Sequence, residues 1–186
     1  LRQVGTDPNG APITRPHHLR VSGWRLDGDR LARTGSTDVE LTDQGTVAWD
    51  EIGPDADLIL PNDSALSYIK ISFDERSLAS ALAHELDEPL AQSVVSSALW
   101  EMVRDGLLPA ADYARFTARS AEGTSSSLLA ARTLNSIAAL RSYTTAEARE
   151  AELERFFDDA VANISGDDDT RLIWSRAAAR AGQSLP

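Results

Sequence analysis

The chain of 186 residues contains no cysteine, which excludes disulfides and thiolate metal sites outright. Histidine is nearly as scarce, with His17, His18 and His84 the only three. A zinc centre with two or three nitrogen ligands is therefore nearly unbuildable. His17 and His18 are adjacent, so on a strand they point to opposite faces and do not share a metal. Positive charge is also short: 18 Lys plus Arg stand against 29 Asp plus Glu, for a net charge of −11. Binding to nucleic acid or to an anionic membrane by counterion release needs a basic surface, so neither partner is expected. No apolar run approaches the roughly 20 residues that span a bilayer, and no leader pattern follows Leu1. A cytoplasmic protein is the expectation. Because the first residue is Leu1 and not Met, the sequence reads as a piece of something longer.

Familiar catalytic patterns are missing too. His84-Glu85-Leu86-Asp87-Glu88 begins like a zincin signature, but H-E-x-x-H needs two imidazoles one helical turn apart. Glu88 holds the second ligand position, and Pro89 disturbs the helix there. A surface helix end is the expected role. Asp167-Asp168-Asp169 lacks the alternating ligands, central glycine and late glutamate of a calcium loop, so helix capping is expected. Ser125-Ser126-Ser127 has neither a nearby histidine nor nucleophile-elbow glycines. No glycine-rich phosphate loop occurs. The sequence thus assigns no catalytic residue and no metal ligand, and leaves binding residues unassigned.

What is present is a change of period. Up to about Asp74, apolar residues recur every second position. Leu19 and Val21, then Val39 and Leu41, fit inward faces of strands. Trp24 and Leu26 fall in the opposite parity, which predicts a bulge near Gly23. Asp27-Gly28-Asp29 reads as a hairpin turn leading to a short strand Leu31–Arg33, with another over Thr37–Leu41. A turn at Gln44-Gly45, a strand over Thr46–Trp49 and a break at Gly53-Pro54-Asp55 follow. Leu58-Ile59-Leu60 is stopped by Pro61. Asn62-Asp63-Ser64 is turn chemistry, and Tyr68 to Phe73 alternates as a strand. Five or six short strands so spaced predict an antiparallel β-sandwich over residues 1–73.

From Asp74 the period becomes three to four. Ser72-x-x-Glu75 reads as a capping box, with Asp74 a competing N-cap. Helix one is expected to run to about Leu86 on a Leu78/Leu82/Leu86 face. A second helix buries Leu90, Val94, Ala98 and Met102, with Val95, Leu99 and Val103 beside them, and ends at Gly106. Pro109 opens a third, with Tyr113 and Phe116 inward. Gly123 to Ser127 is a polar break before a fourth helix, to about Arg141. Thr144-x-x-Glu147 reads as a capping box for a fifth, whose core side is Leu153, Phe156, Phe157, Ala160, Val161 and Ile164. A sixth carries Leu172, Ile173, Trp174, Ala177 and Ala181. Residues 74–186 are thus expected to form an all-α domain, of bundle or HEAT-like solenoid type. The fold class expected for the whole is α+β. The aromatic set Trp100, Tyr113, Phe116, Phe156, Phe157 and Trp174 reads as core, with a groove lining as its alternative. Lys70 and Arg76 are expected to pair with Asp74 or Glu75.

The junction also carries a resemblance. Asn62-Asp63, Tyr68-x-Lys70 and Asp74-Glu75-Arg76-Ser77-Leu78-Ala79 resemble the passage from the small β-sandwich domain to the C-terminal helical domain of aminopeptidase N-type zinc metallopeptidases, closest to the actinobacterial branch. Arg15-Pro16-His17 resembles the opening of a sandwich strand there. Leu99-Trp100-Glu101-Met102-x-Arg104-Asp105-Gly106 with Leu108-Pro109-Ala110-x-Asp112-Tyr113 resembles a helical hairpin, and Leu172-Ile173-Trp174-x-Arg176-Ala177 a later helix. None of these motifs carries chemistry alone; their order and spacing carry the likeness.

The resemblance implies a parent zinc aminopeptidase that removes N-terminal residues from peptides. Its catalysis would lie in an upstream domain bearing H-E-x-x-H and a G-x-M-E-N motif, both absent here. This chain would be a non-catalytic C-terminal fragment, inactive alone and without zinc of its own. Its sandwich would be incomplete at the N-terminus and its helical domain truncated at the C-terminus. It would pack against the catalytic domain of the same polypeptide and shape the access of the peptide substrate. A truncated helical domain would leave apolar surface that favours self-association. The alternative is a stand-alone sandwich plus helical-repeat module that grips a partner protein. An independent hydrolase using Asp or Glu pairs has no spacing behind it.

Overall fold

A computed structural model describes residues 2–5, 7–42, 55–119 and 124–183. The class is α+β. The described residues form four strands and six helices, in the order β1 (His17–Asp27), β2 (Arg30–Leu41), β3 (Leu58–Pro61), α1 (Glu75–Ala83), β4 (Glu85–Leu86), α2 (Pro89–Arg104), α3 (Ala110–Arg119), α4 (Ser126–Ser142), α5 (Ala146–Ala162) and α6 (Asp168–Gly182). Two compact units result, Leu1–Val95 and Ser96–Pro186, which part inside α2.

The first unit holds one sheet of order β3-β1-β2-β4. A second packed sheet, which a sandwich requires, is not among the described residues. The expected strand Thr46–Trp49, with Gln44-Gly45 and Gly53-Pro54, lies outside them. β1 and β2 are antiparallel and joined by a two-residue turn, with Asp27 opposite Arg30. Gly28 takes φ +66° there, which suits glycine at the first central position of such turns. The bulge is present: Gly23 pairs with Gly35 but Trp24 with Arg33, so Thr34 is the extra residue. The two short strands expected at Leu31–Arg33 and Thr37–Leu41 are therefore one bulged strand.

The bulge also reassigns faces. Since side chains alternate, Leu19, Val21, Val39 and Leu41 cluster on one face with Ile59 and Ile69. Trp24, Leu58 and Leu60, all fully buried, take the other. β3 lies antiparallel to β1 with Leu58 opposite Trp24. The strand expected over Tyr68–Phe73 makes no described ladder, yet its burial alternates as predicted, with Ile69, Ile71 and Phe73 inward of Tyr68, Lys70 and Ser72. Period two marks half-buried extended chain; it does not require a hydrogen-bonded neighbour.

Asp74, not Ser72, caps α1: its carboxylate accepts from the Ser77 N–H at 3.0 Å and from the Ser77 hydroxyl at 2.8 Å. Burial acts to raise the Asp74 carboxyl, but these bonds outweigh it and hold the group below its usual value. α1 stops at Ala83, short of the expected Leu86. There Glu85 and Leu86 turn into β4 and pair parallel with Arg30 and Leu31. Bonds from Asp87 N–H to the Leu31 carbonyl (3.1 Å) and from Leu86 N–H to Gln92 Oε1 (2.6 Å) hold them.

In the second unit, the buried side of α2 is Ala98, Leu99, Met102 and Val103, as expected. Leu90, expected inward at the other end of α2, is 55% exposed. α2 ends in a Schellman motif, in which Leu107 N–H reaches the Met102 carbonyl (2.8 Å) and Gly106 N–H that of Val103 (3.1 Å). α4 packs on α3, α5 and α6, and α5 on α6. Ser125 caps α4 and Asp167 caps α6 through their side chains. The box expected at Thr144 is displaced, because Thr145 is the N-cap of α5 and its side chain makes no cap bond. Leu153, Phe156 and Ala160 are core, whereas Val161, Ile164 and Leu172, expected inward, are 40–47% exposed.

Gly106 sits at φ +73°, and an added Cβ there would meet nothing within 4 Å. The cost of Gly106→Ala is thus that of a left-handed backbone alone. We expect a loss of about 1 kcal/mol, read as a lower urea midpoint with an unchanged slope.

Candidate functional site

The densest polar arrangement in the first unit centres on Arg33. The pairing of β2 with β1 places Arg33 opposite Trp24, and its guanidinium lies 4.6 Å from the indole centroid. The indole N–H donates to Ser22 Oγ at 2.7 Å. Arg33 Nε and NH2 donate to the two carboxylate oxygens of Glu88 at 2.7 and 2.6 Å, a bidentate pair. Its NH1 donates to Asp63, whose side chain is essentially fully buried. The Glu88 hydrogen bond is the main reason that the guanidinium is held even more firmly protonated than usual, with burial opposing and Asp63 adding to it. The same bond to Arg33 draws the Glu88 carboxyl below its ordinary range, against a smaller opposing effect of burial.

Local chain geometry delivers both carboxylates. Asn62 adopts φ +56°, a conformation that Asn tolerates better than most residues. Its side chain accepts from Ser67 N–H at 3.0 Å and donates to the Ser67 carbonyl at 2.7 Å. That closes a tight loop after β3 and brings the Asp63 carboxylate to Arg33 of β2, while its own N–H reaches the Arg20 carbonyl of β1. Glu88 is positioned by β4, and Arg30 NH2 reinforces it by donating to the Leu86 carbonyl at 2.9 Å.

This geometry disposes of the zincin pattern. His84 is the C-cap of α1, Glu85 lies in β4 and Glu88 is engaged by Arg33. The five residues do not share a helix face. His17 lies in β1 opposite Leu41, and His18 stands 3.7 Å from Glu40 at the surface. Among the described residues no group of three or more His, Asp or Glu could hold a metal ion. Asp167 is a helix cap, and Ser125 likewise. Arg76, expected to pair with Asp74 or Glu75, reaches Asp57 at 3.1 Å, and Asp57 also accepts from Leu26 N–H at 2.9 Å.

In the second unit the aromatic set is core for Tyr113, Phe116, Phe156 and Trp174; Trp100 and Phe157 are partly exposed. Trp100 and Tyr113 lie 5.8 Å apart, and Tyr113 and Phe116 6.0 Å. Burial pushes the Tyr113 phenol up, with Asn135 and Arg132 opposing. Sequence reasoning missed Arg132, which is 1% exposed. Its guanidinium lies 4.5 Å from the Phe116 centroid and donates to Ser96 Oγ at 2.6 Å. Ser136 in turn bonds the Thr117 hydroxyl and the Arg132 carbonyl, both at 2.9 Å. The signal was available: Leu129, Arg132 and Ser136 share one helical face. The Arg33 arrangement pairs its charges internally, which suits holding the chain in shape.

Removing Arg33 would strand the buried Asp63 carboxylate. Arg33→Met is expected to cost about 3 kcal/mol, and Arg33→Lys most of that, since an ammonium cannot bridge both carboxylates in a fork. Arg20→Met, which removes an exposed pair with Asp38, should move the urea midpoint far less. The Glu88 carboxyl is depressed in the folded state, so its contribution is present above the unfolded value near 4.3 and is lost as pH falls through the folded value. The wild-type midpoint should therefore drop steeply below about pH 4.3, and Arg33→Met should flatten that slope.

Comparison with known proteins places these features. The ERAP1-like C-terminal domain matches residues 58–184, from β3 through α6. A curated relative, Aminopeptidase N of Streptomyces lividans, is 29% identical over 184 residues, which cover 94% of this chain and 21% of that protein. The chain thus spans about a fifth of the length of the relative it matches.

Proposed function

The chain belongs to the ERAP1-like C-terminal domain family, and from that premise we propose that it is a non-catalytic C-terminal part of a zinc aminopeptidase. The observation that carries this reading is the pairing of near-complete coverage of this chain with 21% coverage of Streptomyces lividans Aminopeptidase N. The polar hub around Arg33 fits it, since every charged group there has a structural partner. In this reading zinc and the hydrolytic residues reside in a catalytic domain of the same polypeptide. The present residues form a sheet domain over 1–73, of sandwich type, and the first part of a solenoid-like helical domain over 74–186. They pack against the catalytic domain and shape how a peptide reaches it, in an actinobacterial-type enzyme of the cytoplasm. No helix among the described residues is long and apolar enough to cross a membrane.

The test is an assay of the isolated chain beside the longer polypeptide encoded with its preceding segment. Release of p-nitroaniline from an aminoacyl-p-nitroanilide, with and without chelator, is read together with zinc content by atomic emission. The isolated chain should be inactive and zinc-free, and the longer polypeptide active and chelator-sensitive. Stoichiometric zinc with chelator-sensitive turnover in the isolated chain would overturn the proposal. So would a preceding segment with no peptidase activity.

The isolated chain is also expected to self-associate at high concentration, because Val161, Ile164 and Leu172 expose apolar surface. Sedimentation velocity showing a clean monomer throughout would refute this.

A further inference from the structure

Two side chains on the loop after β3 stand apart from the rest of the surface. Tyr68 is 104% exposed and Leu66 86%, the two highest values among the exposed large hydrophobic residues described. They do not sit on a slack loop. Asn62 bonds Ser67 through both its amide N–H and its carbonyl, Ala65 N–H reaches the Asn62 carbonyl at 2.8 Å, and the Ser67 hydroxyl donates to the His18 carbonyl at 2.9 Å. Ala65 is held at φ +56°, a strained conformation for a residue with a Cβ, which persists only where its surroundings impose it. A fixed, strained loop thus presents a leucine and a tyrosine to solvent, with the backbone that carries them already ordered before any contact is made.

We propose that Leu66 and Tyr68 form a docking prong, whose occupant is an apolar recess on the part of the same polypeptide that lies outside this chain. The size of the prong argues for that occupant over a second copy. A buried aromatic offers roughly 150–250 Å², and Leu66 adds less. Stable bimolecular interfaces bury about 800 Å² per partner, which two side chains do not supply. A tethered partner needs far less, because covalent linkage provides an effective concentration in the mM range. The partner recess is apolar, with a hydrogen-bond acceptor at its base for the Tyr68 hydroxyl, since a buried phenol O–H usually takes a partner. The inference rests on the reading of this chain as part of a longer aminopeptidase.

The test is site-resolved nitration by tetranitromethane, read by mass spectrometry on the isolated chain and on the longer polypeptide. Tyr113, fully buried, and Tyr143, 49% exposed, serve as internal references. In the isolated chain Tyr68 should nitrate fastest. In an active longer polypeptide its rate relative to Tyr143 should fall at least tenfold, and the double substitution Leu66→Ser/Tyr68→Ser should lower the melting temperature there while leaving that of the isolated chain unchanged. Undiminished Tyr68 nitration in a polypeptide that retains peptidase activity would overturn the prong and leave the proposed function standing. A longer polypeptide without peptidase activity would overturn both. Protection of Tyr68 that grows with the concentration of the isolated chain would assign the prong to a second copy and overturn the tethered occupant.

Discussion

The first unit depends on where one guanidinium ends up. Arg33 lies on a strand, pairs across to Trp24 and reaches two carboxylates delivered by separate segments, Asp63 from the loop after β3 and Glu88 from the turn before α2. Each of the three elements would be poorly placed without it. Asp63 is 2% exposed, and a buried carboxylate with no cation is among the costliest defects a fold can carry. The triad is weak evidence of net stability, since an apolar trio of similar volume could hold as well. What it supplies is a tie: one guanidinium bonds a carboxylate from each of two segments between β3 and α2. The one-residue bulge at Thr34 is part of the same device. Without it Arg33 would fall on the face occupied by Val21 and Val39, away from Trp24.

A recurrent local solution supports this hub. Where the chain changes direction, a short polar side chain takes the place of a missing backbone partner. Asn62 does so after β3, Asp74 before α1, Gln92 beside β4, Ser125 before α4 and Asp167 before α6. These bonds are individually modest. Asn62, Asp63 and Asp74 divide the work: the first closes the loop, the second feeds the ion triad, and the third starts the helix that covers β3, where Ser77 Oγ accepts from Ile59 N–H.

Much of this was legible in the residues, and the misses have a common cause. A register change near Gly23 was expected from the parity of Trp24 and Leu26, and one occurs there, but the extra residue is Thr34 on the partner strand, which that parity does not mark. The hairpin turn, the Gly106 terminus and the inward side of α3 followed from local chemistry. The end of α1 did not, since its Leu78/Leu82/Leu86 spacing is sound helix pattern. Leu86 is buried all the same, but by parallel pairing with β2, a partner far away in sequence. Arg33 and Arg132 were passed over for a related reason. An arginine in an amphipathic stretch reads as a solvated end with a buried stem, and only tertiary contacts reveal a desolvated one. Leu90 and Leu172 erred in the opposite direction, as apolar residues at helical spacing that the fold leaves exposed.

The character of the polar groups bears on where chemistry can reside. A general acid or base needs a lone pair or proton directed at a cleft, at a pKa near its working pH. Both carboxylates of the hub are directed at Arg33. Glu88 is drawn down, away from neutrality, by the arginine that holds it, and Asp63 spends its reach on the same guanidinium. Asp57 and Asp167 are likewise depressed, by backbone N–H groups from Leu26 and Thr170 first of all. The environments here push carboxylates toward permanent ionisation, the state useful for capping and pairing. A hydrolytic site would need the reverse, a carboxyl raised by burial or a ligand set open on one side. In the ionised state the groups named here serve to fix the shape of this part of the polypeptide, by capping helices and by tying separate segments to one guanidinium.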